Sequence, residues 1–194
     1  MSPSSTLRAD ARRNADSIRA AAVQMFRARG LSVPLEDVAA AARVSKATIF
    51  NRFGGRVGLI DSVIDEVVAD ELLRVIDEAQ SVEGAQERVT SYVRAIRGLQ
   101  YALPAVNDVL LQDFPESEPL MALCHAGEEF HRELVAEGHA AGILATGVTA
   151  GDLQALTMDN ALALKHGRVR PSRTDYDRRT EFILGGLCPA ARPS

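Results

Sequence analysis

The sequence predicts an all-α protein, with a three-helix head followed by a larger helical bundle. Three observations point that way. Apolar residues recur at three- and four-residue steps through most of the 194 residues. Strand-like alternation of useful length is absent. The helical stretches are punctuated by breakers and caps such as Gly30, Pro34, Ser45, Pro104, Pro115 and Gly142. A composition of 46% hydrophobic and 25% charged residues excludes whole-chain disorder. No apolar run approaches the roughly 20 residues that cross a bilayer. No apolar stretch follows Met1 as in a signal peptide, and Cys124 and Cys188 form no disulfide framework. We therefore expect a cytoplasmic protein with no membrane partner. With no Trp and 5% aromatics, a stacking platform for single-stranded nucleic acid is disfavoured.

Charge is divided unevenly. Residues 1–60 carry ten Lys and Arg against four acids, and the remainder carries 12 basic against 22 acidic groups. A basic head on an acidic body suggests that one end meets a polyanion.

In the head, Ile18, Ala21, Ala22, Met25 and Phe26 make the stripe of an amphipathic helix, which Gly30 ends. A second helix opens at Pro34, with Glu36 and Asp37 at the positive end of its dipole. Its inner side reads Leu35, Val38, Ala39 and Ala42. Arg43-Val44 forms a tight turn, and Ser45 caps a third helix running from Lys46 to about Phe53. Ile49 and Phe53, four apart, face the first two helices. Lys46, Ala47, Phe50 and Asn51 then share the outer side. A short helix entered by a tight turn and carrying small and polar residues outward has the geometry of a major-groove recognition helix. This makes the head a helix-turn-helix.

The run Ala22…Phe26…Gly30…Val38-Ala39…Ala42-Arg43-Val44-Ser45-Lys46-Ala47-Thr48-Ile49-Phe50-Asn51-Arg52-Phe53…Arg56…Leu59 resembles the DNA-binding head of the TetR (tetracycline-repressor-like) family of bacterial regulators. The likeness covers about 50 residues. Four positions depart from the family pattern: Arg43 replaces the turn glycine, Ala47 the glycine before Thr48, Phe50 a tyrosine, and Arg56 a lysine. The resemblance implies a non-enzymatic regulator, most often a repressor, that binds a palindromic double-stranded operator as a homodimer. It also implies release by a small-molecule effector in the C-terminal domain, with no cofactor. The expected organisation is a flexible basic arm at 1–14, the DNA-binding head at 15–55, a ligand-binding and dimerisation domain at 56–188, and a tail at 189–194. Ser45, Thr48, Arg52 and Arg56 are expected at phosphates, Lys46 and Asn51 at bases, and Ala47 and Phe50 in apolar contacts. Arg8, Arg12 and Arg13 would lie in the arm.

In the body we expect a long helix from Arg56 to about Ala79, then helices near 85–100, 105–113, 118–140, 150–167 and 174–187. In the helix after Pro115, one face carries Leu120, Leu123, Cys124, Gly127, Phe130, His131, Leu134 and Gly138. Glu128-x-x-His131 has the spacing used in di-metal helix bundles, but the sequence holds one copy. A rival reading is therefore a helix-bundle metal protein or enzyme using Cys124, Glu128 and His131, and a core-edge histidine is favoured over it. By the resemblance, Tyr101, Phe114, Met121, Cys124, Phe130 and His131 are expected near the effector cavity. Ala155, Met158, Leu162, Phe182, Gly185 and Gly186 are expected at the dimer interface. Thr149-Ala-Gly-Asp152 reads as a capping box.

Overall fold

The computed structural model describes residues 3–189, with side chains from Arg12 onward. Among the described residues every regular element is helical: α1 (Pro3–Arg29), α2 (Leu35–Ala41), α3 (Lys46–Phe53), α4 (Arg56–Asp61), a π-helical turn (Asp65–Ala69), α5 (Asp70–Ser81), α6 (Ala85–Ala102), α7 (Pro104–Leu110), α8 (Glu118–Ala140), α9 (Ala150–His166) and α10 (Arg173–Leu187). The chain divides into two compact units, residues 1–70 with 103–121 and residues 71–102 with 122–194. That division differs from the expected one at 55/56, because α4, the π-helical turn and α7 all pack on α1.

The first unit is built around α1. Ile18, Ala22 and Phe26 are fully buried, together with Leu31, Val38 and Ile49 from the following elements. The backbone of 3–14 is already helical, so the expected arm is instead the start of α1. Arg12 and Arg13 are exposed on it, whereas the Arg8 side chain, Met1, Ser2 and residues 190–194 of the expected tail lie outside the described residues. Gly30 takes φ 90° behind α1, and a Cβ there would meet the Asp108 carboxylate at 2.5 Å. Asp108, itself buried on α7, accepts a 2.5 Å hydrogen bond from the Leu31 amide.

The expected continuous helix from Arg56 is broken. α4 ends at Asp61, where Ser62 Oγ donates to the Leu59 carbonyl, and the chain widens into the π-helical turn before α5. Such widening frees carbonyls from the helical ladder. Arg27 Nη1 takes up two of them, donating to Glu66 O at 2.9 Å and Val67 O at 3.1 Å. α7 stops earlier than expected, at Leu110, and Gln112 adopts φ 55° just beyond it.

In the second unit α6 packs against α9 and α10. Its core joins Val89, Tyr92 and Ile96 of α6 to Leu153 and Ala161 of α9 and Leu184 and Leu187 of α10. A buried polar chain crosses these helices. Gln100 Nε2 donates to Thr157 O, Asn160 Nδ2 donates to Gln100 Oε1 and Tyr176 Oη, and Tyr176 Oη donates to Arg97 O. The capping box of α9 forms as expected, with the Asp152 amide donating to Thr149 Oγ1 and the Thr149 amide to Asp152 Oδ2.

Candidate nucleic-acid interface

α3 owes its position to its two ends and its back. At its start the Ser45 side chain accepts from the Thr48 amide at 3.2 Å, and Ser45 Oγ lies 2.9 Å from Thr48 Oγ1. The turn before it places Arg43 at φ 58°, a left-handed conformation that costs a non-glycine residue roughly 1 kcal/mol. At its end Gly54 and Gly55 take φ 74° and 113°, and a Cβ on Gly55 would press on the Phe50 ring at 3.1 Å. Ile49 is fully buried behind the helix and Phe53 half-buried.

The front of the helix is open. Ser45, Lys46, Ala47, Asn51 and Arg52 are exposed, Phe50 is 49% exposed and Thr48 is half-buried. These seven residues form one continuous surface of hydroxyl, ammonium, amide, guanidinium and aromatic groups. Lys46 pairs with Glu36 of α2 at 2.5 Å and stands 5.9 Å from the centre of the Phe50 ring. The ammonium holds the Glu36 carboxyl below the usual carboxylate range.

Arg56 is placed differently from a phosphate contact. Its Nη1 points inward and donates to Leu31 O at 2.7 Å and Val33 O at 2.6 Å. Burial pulls this guanidinium below the ordinary arginine value, while Glu36 and Asp108 oppose the change. Other charges of the basic head are likewise spent internally, Arg19 on Glu66 and Arg29 on Asp37. Arg43 and Arg52, both exposed, pair with no carboxylate among the described residues. No local pattern announces the Arg56 and Arg27 clamps, whose carbonyl partners lie 23 to 40 residues away.

The residues expected at an effector cavity are divided between the units. Half-buried Phe114 and Met121 belong to the first, and Tyr101, Cys124, Phe130 and His131 to the second. Tyr101 Oη donates to Pro171 O. Phe130 stacks edge-on with Tyr92 at 5.0 Å, and the Tyr92 hydroxyl lies 2.7 Å from His131 Nε2. Burial pushes His131 down to about 4; the Gln154 side chain opposes this without satisfying Nδ1, which has no hydrogen-bond partner. Burial, with Glu128 adding to it, pushes the Cys124 thiol up to about 11. Among the described residues no group of three or more His, Cys, Asp and Glu could hold a metal ion.

The residues expected at a dimer interface all reach the surface of α9 and α10. Phe182 is 71% and Leu162 47% exposed, Ala155, Gly185 and Gly186 are exposed, and Met158 is half-buried. A Cβ on Gly185 or Gly186 would meet nothing within 4 Å.

Residues 18–63 match the family model described as bacterial regulatory proteins, tetR family. Among curated proteins none matches the sequence significantly. Solved structures share the fold over most of their length. The ketosteroid transcriptional regulator KstR2 of Mycobacterium tuberculosis is 14% identical, with 91% of this chain and 95% of that one covered at a TM-score of 0.65. A TetR/AcrR-family regulator from Thermobifida fusca is 21% identical, with 92% and 98% covered at 0.62. AibR, solved with isovaleryl coenzyme A and operator DNA, is 16% identical, with 91% and 98% covered at 0.68.

An open, capped recognition helix on a three-helix head, followed by a helical C-terminal part, defines a helix-turn-helix DNA-binding transcriptional regulator. Over residues 18–63 of its head the chain is similar to the tetR family of bacterial regulatory proteins. No helix among the described residues is long and apolar enough to cross a membrane.

Proposed function

We propose that this regulator is a homodimeric repressor that binds a palindromic operator and is released by a small molecule in its C-terminal part. The observation that carries the DNA-binding part is the exposed front of α3, anchored from behind by fully buried Ile49. Two such helices, related by a two-fold axis, would occupy successive major grooves about 34–36 Å apart. Lys46 and Asn51 read base edges, Ala47 and Phe50 contact thymine methyls, and Ser45, Thr48 and Arg52 hold phosphates. Arg43, exposed and without a paired carboxylate, joins the phosphate contacts. Arg56 acts by positioning the head, through the two carbonyls it binds between α1 and α2.

The exposed apolar face of α9 and α10, with Leu162, Phe182 and open Gly185-Gly186, supports the homodimer. An effector favouring a state whose head spacing misfits the operator would weaken DNA binding, and DNA would weaken effector binding by the same factor. Unbiased selection of duplexes from random DNA tests the proposal. A two-fold symmetric consensus with half-sites about one helical turn apart is expected. Enrichment of an asymmetric single site would reject the dimeric operator, and no enrichment would reject the DNA-binding role of α3.

A further inference from the structure

Glu36 is an acid on the face that presents α3. It stands exposed in the first turn of α2, and its Oε1 lies 2.5 Å from the Lys46 ammonium at the front of α3. Lys46 is also 5.9 Å from the centre of the Phe50 ring, so the ammonium has a carboxylate and an aromatic ring as neighbours. The dipole of α2 favours an acid at this end, and Asp37, paired with Arg29 of α1, already supplies one. Folding stability does not account for the Glu36–Lys46 pair either, because an exposed ion pair contributes little.

Attraction to phosphate speaks against it. A carboxylate beside a recognition helix repels the polyanion and offsets the charge of Lys46. Glu36 does not escape by taking up a proton, since the hydrogen bond from Lys46 holds its carboxyl below the usual carboxylate range. An anion kept here therefore needs a donor in the groove. The major groove offers carboxylates the exocyclic amine of cytosine, N4, and an ammonium the adjacent acceptors O6 and N7 of guanine. These groups lie side by side on one G·C pair, as the ammonium and carboxylate do on the protein.

We propose that Glu36 and Lys46 together read one G·C base pair in each half-site, the ammonium donating to guanine O6 and N7 and the carboxylate accepting from cytosine N4. This reading rests on the DNA-binding role of α3 proposed above, and it brings in a residue from outside the recognition helix. Glu36 weakens binding to any duplex in which no cytosine amine meets it. It is a specificity residue whose contribution is discrimination rather than affinity.

The test is selection from random duplexes at fixed salt with the wild type, Glu36→Gln, Lys46→Met and the double variant. Affinity for a non-specific duplex is then measured across a salt series. Both residues are exposed, so the urea midpoints of the variants should match the wild type. The wild-type consensus should hold a G·C pair at one position per half-site, where each single variant loses about fivefold or more of the preference. The double variant should lose no more there than the more affected single variant, because the two groups act as a unit. On the non-specific duplex the singles should move in opposite directions. Glu36→Gln, which frees Lys46 for phosphate, should bind about threefold tighter with a salt slope steeper by about one, and Lys46→Met should bind more weakly. A Glu36 that only supports α2 would not raise affinity when replaced. Coincident base profiles for Glu36→Gln and the wild type would overturn the proposal and leave the DNA-binding role of α3 standing. So would losses at different positions in the two single variants, or an A·T pair at the shared position. If the wild type enriches no duplex, the DNA-binding role falls and this proposal with it.

Discussion

Replacing Arg56 by alanine separates two roles for one residue. In the structure its Nη1 donates to the carbonyls of Leu31 and Val33, both in buried residues, at 2.7 and 2.6 Å. A hydrogen bond from a charged donor contributes about 1.5–3 kcal/mol, and orphaning a buried acceptor adds to the loss. Because the side chain is half-exposed and water can reach part of the site, we discount the sum of two such bonds to about 3 kcal/mol. Arg56→Ala should therefore shift the urea midpoint to lower denaturant by that amount, with an unchanged m-value. Operator affinity should then be measured across a salt series below the unfolding transition. An internal clamp leaves the slope of log affinity against log salt as it was. A phosphate contact would lower that slope by about one, with little effect on stability. That second outcome would refute the positioning role.

Four further perturbations follow from the geometry. A Cβ on Gly58 would stand 1.8 Å from the Phe53 carbonyl oxygen, so Gly58→Ala should cost about 3 kcal/mol or more in urea unfolding. Gly127→Ala, where a Cβ meets nothing within 4 Å, should stabilise α8 by about 0.5–1 kcal/mol. His131 titrates near 4 when folded and near 6.5 in an unfolded chain, so its neutral form is favoured by folding. The stability it contributes is complete above about pH 6.5 and is lost as pH falls to about 4, a drop of roughly 3 kcal/mol. In His131→Leu the fall in urea stability over that window should shrink. If the two pH profiles run parallel, the burial account of His131 fails. If the proposed homodimer forms through α9 and α10, Phe182→Glu should sediment as a monomer where the wild type sediments as a dimer, and a variant that still sediments as a dimer would place the interface elsewhere.

Much of this architecture was legible in short-range pattern. The stripe Ile18, Ala22, Phe26, the Ser45 cap, the tight Arg43-Val44 turn and the Thr149–Asp152 box each depend on residues within one or two turns of one another. The bounds of α8 and the exposure of the α3 front came from the same periodicity. What escaped depends on partners distant in sequence. Nothing near Arg56 or Arg27 announces that a guanidinium will close on carbonyls 23 to 40 residues away. The same blindness turned the segment after Arg56 into one long helix, although every local apolar position fits one. The uneven charge of the first 60 residues marked the end that carries α3, but overstated its free charge. Arg19, Arg29 and Lys46 are paired, and Arg56 is turned inward.

The most direct measurement is the base preference of the wild type and of Asn51→Ala, read from the same pool of random duplexes at fixed salt. If the front of α3 lies in the major groove, the variant should lose preference at one position in each half-site and keep the rest of the consensus. Identical profiles from both proteins would mean that this face of the helix does not read DNA.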